Sequence, residues 1–500
     1  MSHSGNDVHA EMNSIIFEDI VSVVNASNES GDGYASSSLV LLLFSEYHSG
    51  NGLVFRQKGA LFLSQLYVLG AGIGTGMGMG AYWSSPHSRH DLVASFEGGV
   101  NLYDCSLSSS ASVLSFFWNG EYSGSNSSIA FQSDTDWSLV SSNLMGDGFL
   151  FYQFWVGDNS GIMASVTFCN ATTWSLVNTV FSGHAYLFSQ FWAGVGSGSD
   201  YSMTFGGDLN WSISNSTLEG DASLMHQAWG SNDSGSNGGI ALLGYSTWFL
   251  SNCTLDADAF LFYQGWVGDN SGLGTSVVFK KDTLWSLSNI AFHNTASLFY
   301  QGWIGASSGS NAVIIFKGKT DWSLSSSRMS DHTSFLSQGW ASPDSGSNTS
   351  ITFCFDARWS LTNTSLSGEV SMLYQIWAGE RSGLHNAVSF LSGVFWSLVS
   401  TSLSGDACLF YQVWTSPDSG LNCTIMLNTS TWLLSNSIVM DDASLYTQYW
   451  AGNRSGSNVI VVFNFGSTWS LCNSSIGGDA TIFYQGWTGY HSCSNISVSF

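Results

Sequence analysis

The chain has 500 residues and a formal net charge of −24. Charged residues make up 9% of it, against roughly 25% in a typical soluble domain. With only 11 Lys and Arg, the sequence lacks the clustered cations that bind nucleic-acid phosphates or anionic membranes.

Residues 1–11 are predicted to be an unstructured lead. The first 21 residues are polar and contain Glu11, Glu18 and Asp19, so they do not have the pattern of a secretory signal. Residues 12–117 carry degenerate copies of a repeat. Within them, Ser38–Tyr47 is predicted to place Tyr47 where later copies have Trp, and Val100-Asn101-Leu102 stands for Trp-Ser-Leu.

The Gly-rich stretch 59–83 interrupts this N-terminal region. It has glycine at every second position from Gly70 to Gly80, which disfavours a stable membrane helix. We predict that the stretch is an insertion or loop.

Regular repeats fill residues 118–500, and the chain ends in mid-repeat at Phe500. Each copy contains Trp-Ser-Leu, as at residues 285–287, and Phe-Tyr-Gln-x-Trp, as at residues 262–266. Equivalent Trp residues recur every 37 residues, except for one step of 36 from Trp414 to Trp450. A fixed period of this length indicates a repeat architecture.

Turn and strand signals follow the same period. A Ser-Gly pair follows each Trp of the second signature, as at Ser308-Gly309, and a Gly-Asp pair precedes many copies of that signature, as at Gly405-Asp406. Glycine at a fixed place predicts a turn that needs positive φ. The segments between turns are short, aromatic or β-branched, which is typical of strands.

These patterns predict an all-β fold, a parallel β-solenoid of the right-handed β-helix type, built from 37-residue repeats. The two Trp positions divide each repeat into 18 and 19 residues, and the halves look alike. Ala259 and Leu261 lie 11 and 13 residues after Trp248, as Val277 and Phe279 do after Trp266. The likeness favours two short coils per repeat, and a single three-stranded coil of 37 residues is the alternative.

Stacked coils would bring equivalent side chains to about 4.8 Å from one another. We therefore predict structural ladders of Trp and of Gln, whose amide can donate and accept at once. The predicted ladder residues are Trp137, Trp155, Trp174, Trp192, Trp211, Trp229, Trp248, Trp266, Trp285, Trp303, Gln153, Gln190, Gln227, Gln264 and Gln301. The functional alternative is an exposed aromatic strip that stacks on sugar rings.

The W-S-L-x-N-S and S-G-x-N units resemble the repeats of right-handed parallel β-helix surface proteins, in the broad pectin-lyase-like class. Bacterial adhesin passengers and the dispersed-family surface proteins of kinetoplastids are of this kind. The resemblance covers residues 40–500 and implies display or adhesion at a cell surface.

Chemically active constellations are scarce in the sequence. Aspartates recur at the first turn of the repeat, and a row of turn carboxylates could bind calcium, although His184, Thr295 and His332 interrupt it. The repeat is not the nonapeptide calcium pattern, so calcium is a secondary expectation and no other cofactor is expected. We predict no catalytic, cofactor-binding or metal-ligating residues, since neither HxxxH nor CxxC spacing occurs.

Regularity without a catalytic irregularity favours a non-enzymatic protein for extracellular or cell-surface display and adhesion. Its expected partners are surface glycans or other cell-surface proteins, and Asn-x-Ser/Thr sequons such as Asn363 are compatible with a secreted or membrane-associated glycoprotein. The alternative is a carbohydrate-active or glycan-binding β-helix, with a groove near the irregular copies at residues 59–105.

Overall fold

The computed structural model describes residues 93–108, 111–464, 467–492 and 497–499, together with the backbone of the strands between residues 9 and 83. The described residues form strands and turns and contain no helix. The chain divides into two compact units, one of residues 1–238 and 258–264 and one of residues 239–257 and 265–500.

The first unit repeats a set of four strands. In chain order these are β1 (His9–Met12), β2 (Ile15–Glu18), β3 (Val21–Val23), β4 (Val40–Phe44), β5 (Val54–Lys58), β6 (Leu61–Ser64), β7 (Tyr67–Leu69), β8 (Gly76–Trp83), β9 (Val93–Glu97), β10 (Val100–Tyr103), β11 (Ser106–Ser108), β12 (Ser112–Trp118), β13 (Ser128–Phe131), β14 (Thr135–Val140), β15 (Asn143–Met145), β16 (Phe149–Trp155), β17 (Ser165–Phe168), β18 (Thr172–Val177), β19 (Val180–Ser182), β20 (Tyr186–Trp192), β21 (Ser202–Phe205), β22 (Leu209–Ser214), β23 (Thr217–Glu219) and β24 (Ser223–Trp229).

The second unit continues the same order of strands. These are β25 (Gly239–Leu242), β26 (Ser246–Ser251), β27 (Thr254–Leu255), β28 (Phe260–Trp266), at which the units divide, β29 (Ser276–Phe279), β30 (Thr283–Ser288), β31 (Ala291–Phe292), β32 (Ser297–Trp303), β33 (Val313–Phe316), β34 (Thr320–Ser325), β35 (Arg328–Ser330), β36 (Ser334–Trp340), β37 (Ser350–Phe353), β38 (Ala357–Thr362), β39 (Ser365–Ser367), β40 (Ser371–Trp377), β41 (Ala387–Phe390), β42 (Val394–Val399), β43 (Ser402–Ser404), β44 (Cys408–Trp414), β45 (Thr424–Asn428), β46 (Ser430–Ser435), β47 (Ile438–Val439), β48 (Ser444–Trp450), β49 (Ile460–Asn464), β50 (Thr468–Cys472), β51 (Ser475–Ile476), β52 (Thr481–Trp487) and β53 (Ser497–Ser499).

Within each unit every strand pairs in parallel with the strand four places further along the chain. Sheet A contains the strands equivalent to β13, and sheets B, C and D contain those equivalent to β14, β15 and β16. The register joins residues one repeat apart, as Trp359 with Trp396 in sheet B and Trp377 with Trp414 in sheet D. The predicted all-β parallel solenoid with a 37-residue repeat is confirmed, while its right-handedness stays a prediction.

One part of the sequence interpretation is wrong. If each repeat formed two short coils, the Trp of one half would pair with the Trp of the other half, 18 or 19 residues further along the chain. Instead Trp137 pairs with Trp174, and Trp155 pairs with Trp192. Each 37-residue repeat is a single coil with four strands, one in each sheet, because the likeness of its halves reflects two similar inward-facing strands and not two turns of backbone.

The N-terminal region follows the same pairing where it is described. Val100 pairs with Trp137, which confirms that Val100-Asn101-Leu102 replaces Trp-Ser-Leu. Phe44, not the predicted Tyr47, occupies the Trp position, since it pairs with Trp83.

The Gly-rich stretch 59–83 is only partly described. Residues 76–83 form β8, which pairs with β4 and β12, so this part is a sheet strand and not the predicted loop. Residues 70–75 lie outside the described residues. In the predicted lead, residues 9–11 belong to β1, and residues 1–8 also lie outside.

Stacked aromatic rings fill the core of each unit. In the first unit the rings of Trp155 and Trp192 lie 4.8 Å apart and within 2° of parallel. In the second, Trp377 stacks between Trp340 and Trp414 at 4.9 and 4.7 Å. Such offset rings combine apolar burial with favourable aromatic geometry.

The Trp residues of the predicted ladders lie in these stacks. In the first unit they form the pairs Trp137–Trp174, Trp174–Trp211, Trp155–Trp192 and Trp192–Trp229, and in the second the pairs Trp248–Trp285 and Trp266–Trp303, with centroids 4.3–4.9 Å apart.

A buried row of Gln side chains runs beside the Trp stacks of sheet D. Gln153, Gln190, Gln227 and Gln264 are joined in the first unit by amide hydrogen bonds of 2.6–2.8 Å. In the second unit a row begins at Gln301 and continues through Gln338, Gln375, Gln412, Gln448 and Gln485 at 2.6–2.9 Å. Each amide donates to the preceding coil, so a polar group is satisfied inside an apolar core.

The Ser-Gly turn has the predicted backbone. Gly309 has a φ of 65°, and equivalent glycines have φ of 64–69°. The preceding Ser308 donates its hydroxyl to the carbonyl of Gly305 at 2.6 Å, which closes the turn. A Cβ on Gly309 would lie 2.5 Å from Cδ1 of Trp303, so glycine is required both by φ and by the indole ring beneath it.

Gly309→Ala is therefore expected to destabilise the second unit by about 2–4 kcal/mol, since left-handed φ and overpacking each cost about 1–3 kcal/mol. Gly477→Ala is the matched control, because no atom lies within 4 Å of its added Cβ. Urea denaturation would measure both changes. Equal midpoints for the two variants would contradict the role assigned to this turn.

Candidate functional site

The Tyr of Phe-Tyr-Gln-x-Trp lies on the outer face of sheet D. In β44, Phe410, Gln412 and Trp414 are buried in the core, while Tyr411 alternates with them and is half-buried. This follows from the two-residue period of a strand, which sends neighbouring side chains to opposite faces. The repeat therefore places one outward side chain per coil at this position, which is an aromatic ring in many coils and a serine at Ser189 and Ser337.

The row varies from coil to coil in the second unit. Register aligns Tyr374, Tyr411, Thr447 and Tyr484 on successive strands. The rings of Tyr374 and Tyr411 stack at 5.5 Å with an interplanar angle of 2°. Thr447 replaces a ring by a short side chain, which leaves a gap of two strand spacings, about 10 Å, between Tyr411 and Tyr484.

A groove of about 530 Å³ includes Tyr411, Thr447 and Tyr484 in its lining. Ser444 and Thr447, hydrogen-bonded to one another, and the half-buried Tyr449 lie beside it. Tyr484 is 44% exposed, and it lies close to Gly486, where a Cβ would be 2.7 Å from the Tyr484 hydroxyl oxygen. The small residue at this position leaves room for the ring.

Carboxylates form one edge of the groove. They are Glu369, Asp406, Asp442 and Asp479. Each coil contributes one of them, from the turn that precedes its strand in sheet D. Glu369 accepts from Nδ1 of His332 at 3.0 Å. The three aspartates are exposed, and none makes an ion pair with a residue that the structure describes.

Hydrogen-bonding hydroxyls lie beside the carboxylates. Burial, with a smaller contribution from Glu369, raises the pKa of Tyr374 to about 12, and burial likewise raises the pKa of Tyr411. Both phenols therefore stay protonated at neutral pH and can donate. The Ser371 hydroxyl is 2% exposed, lines the groove and has no hydrogen-bond partner among the described residues.

The corresponding face of the first unit is filled differently. Tyr186 stacks on His226 at 4.2 Å, and His226 stacks on Tyr263 at 4.9 Å. Burial, with a smaller effect of His184, lowers the pKa of His226 to about 3, so its imidazole is neutral at physiological pH. His184 contacts Asp221 at 3.1 Å on the exposed edge.

A second concavity lies in the second unit at the corner between sheets B and C. It has a volume of about 750 Å³ and is lined mostly by Asn, Ser and Thr, together with Cys253, Ile290, Ala291 and Arg328. Asn289 donates to the amide oxygen of Asn252 at 2.8 Å. Its lining contains no aromatic ring, so this trough lacks a flat face on which a sugar ring could pack.

The sequence prediction placed function elsewhere. The proposed groove at residues 59–105 falls largely outside the described residues or on strands whose side chains are not described. The predicted ladder residues lie in the core, away from the groove. The groove residues were missed, because short side chains also occupy this position at Ser189 and Ser337, and Thr447 is marked only by Tyr411 and Tyr484 on the neighbouring coils.

No metal-binding group was found: across residues 93–108, 111–464, 467–492 and 497–499, no cluster of three His, Cys, Asp or Glu could hold a metal ion. Calcium binding at the turn aspartates stays a prediction. In the same part of the chain, no helix is long and apolar enough to cross a membrane.

The chain was compared with protein-family models, with curated proteins and with solved structures, and none of the three comparisons gave a significant match.

Proposed function

We propose that this chain is a non-enzymatic display or adhesion protein of the extracellular or cell surface, and that it binds glycans in the groove of sheet D. The observation that carries the proposal is the groove itself, where outward tyrosines stand beside unpaired carboxylates. Membership of the adhesin-like β-helix surface proteins is part of the proposal and has only the repeat pattern in its support.

The chemistry of the groove suits a sugar chain. Aromatic rings pack against the C–H faces of sugar rings, and carboxylates accept hydrogen bonds from the hydroxyl groups around their edges. The phenol of Tyr374, which stays protonated at neutral pH, adds a donor. A protein ligand would be expected to need a larger apolar surface than this narrow groove offers.

Tyr411→Ala should weaken glycan binding about tenfold or more, because truncating a central aromatic residue of a binding site commonly costs over 1 kcal/mol. Tyr411→Phe should retain most of the affinity, since it keeps the ring. Isothermal titration calorimetry would measure the change, with ligands first selected from a glycan array bearing neutral and charged oligosaccharides.

Phe395→Ala is the control for Tyr411→Ala, since Phe395 is an exposed aromatic residue on sheet B. Circular dichroism would establish that every variant keeps its β structure. An intact protein that binds no glycan on the array, or a Tyr411→Ala variant that binds as the parent does, would refute the proposed groove.

The carbohydrate-cleaving alternative is tested with the same ligands. Release of reducing ends from a bound oligosaccharide, abolished by Asp406→Asn or Asp442→Asn, would replace the non-enzymatic proposal by an enzymatic one. We expect no release, because the carboxylates follow the repeat, one per coil, and do not form an irregular constellation on the regular frame.

A further inference from the structure

Resting on the proposed function, we propose that the sheet D groove selects glycans made of amino sugars whose amines are free and protonated. The ligand class is an oligomer of glucosamine-like units, in preference to the N-acetylated or uronic-acid forms of the same chain.

The charge of the groove gives the first reason. Glu369, Asp406, Asp442 and Asp479 lie on its edge, and its lining contains no Lys, Arg or His. His332 contacts Glu369 at 3.0 Å from outside the lining. Carboxylate groups of a uronic acid would be repelled by this edge, whereas ammonium groups would be attracted to it.

The spacing of the carboxylates gives the second reason. Asp406, Asp442 and Asp479 occur once per coil, and coils are about 4.8 Å apart. An extended polymer with one amine per sugar presents cations in a row of its own. Such a row can approach several unpaired carboxylates at once, which a single ammonium ion cannot do.

The tyrosines distinguish an amino sugar from a bare polycation. The rings of Tyr411 and Tyr484 stand on either side of the Thr447 gap, where they can contact the C–H face of a sugar and also a cation through the ring face. A flexible peptide of lysines carries the same charge but has no rigid ring face to pack there. Selection therefore needs both the aromatic and the acidic residues.

The buried Ser371 hydroxyl is a further polar group that a ligand could satisfy. It lines the groove at 2% exposure and has no hydrogen-bond partner among the described residues. A buried hydroxyl left without a partner costs about 1–3 kcal/mol, so a polar ligand group bound there would be favoured. The hydroxyl or amine of a sugar satisfies this requirement.

The test compares oligomers of glucosamine of one length, fully deacetylated and fully N-acetylated, by calorimetry with the full chain at mildly acidic pH. We expect the deacetylated oligomer to bind about tenfold more tightly, because this ratio corresponds to the combined free energy of two or three exposed ion pairs. Raising the salt concentration should shrink this preference, because exposed charges are screened.

Asp406→Asn/Asp442→Asn should remove the preference for the deacetylated oligomer, because the amides keep a hydrogen-bond acceptor at each position but lose the negative charge. The matched control is Asp136→Asn/Asp321→Asn, which removes the same charge from the outer face of sheet B and should keep the preference.

The outcomes separate the two proposals. Equal binding of both oligomers would overturn the amino-sugar inference and leave glycan binding intact, whereas no binding of any glycan would overturn both. Polylysine could also bind as tightly as the deacetylated oligomer and be unaffected by Tyr411→Ala. That result would show that the groove is a nonspecific acidic surface, and it would overturn the inference.

Discussion

Trp377→Ala is expected to lower the free energy of unfolding of the second unit by about 3–5 kcal/mol, the usual cost of truncating a large buried aromatic residue. Trp377 is fully buried, and its ring is stacked on both faces, by Trp340 and by Trp414. The cavity would open between two rigid neighbours fixed by backbone ladders, so it has little scope to collapse.

Urea denaturation would measure the loss, and hydrogen exchange would locate it. Because each coil of a solenoid contacts mainly its neighbours, protection should fall most in β36, β40 and β44. Phe355→Ala is the control, since Phe355 is 54% exposed and its truncation should change stability by less than about 0.5 kcal/mol. Comparable losses in the two variants would contradict the stacked core.

Gln412→Leu should destabilise the second unit by about 2–4 kcal/mol despite adding an apolar side chain. Gln412 donates to Gln375 at 2.6 Å and accepts from Gln448 at 2.9 Å. Leucine would leave one buried acceptor and one buried donor unsatisfied, at about 1–3 kcal/mol each, and its own burial offsets only part of that cost.

Gln485→Leu is the matched comparison within the same ladder. Gln485 is half-buried and is joined to the row by its bond to Gln448 at 2.7 Å, so the substitution should cost clearly less. Thermal and urea denaturation of both variants would measure the difference. A Gln412→Leu variant as stable as the parent would show that the ladder adds nothing beyond burial.

The residue pattern predicted much of the core correctly. Alternation in Phe-Tyr-Gln-x-Trp places Gln on the same side as Phe and Trp, so an inward Gln row follows from strand geometry even though Gln is polar. The fixed Gly after Ser predicted positive φ, which Gly309 has. In both cases the geometry of a single strand or turn predicts the same conformation as the 37-residue repeat does. Because the copies stack in register, that conformation recurs in every coil.

The candidate groove was less accessible to sequence reasoning. Thr447 is an unremarkable residue in its own strand, and it becomes informative only beside Tyr411 and Tyr484 on the neighbouring coils. For the aspartates of the first turn, the sequence analysis predicted calcium binding as a secondary expectation. Their place along the edge of an aromatic groove depends on how the turn meets sheet D.

By itself, the sequence determined the period, the strand content and the residues that share a row, because these depend on spacing along one chain. Only the tertiary structure decided the size of the coil and the place of the groove. Both halves of a repeat carry an inward Trp, so hydrophobic periodicity is the same for one coil of 37 residues or two shorter ones. The hydrogen bonds that pair Trp377 with Trp414 resolve this, and they bring the outward tyrosines and turn carboxylates of separate repeats together.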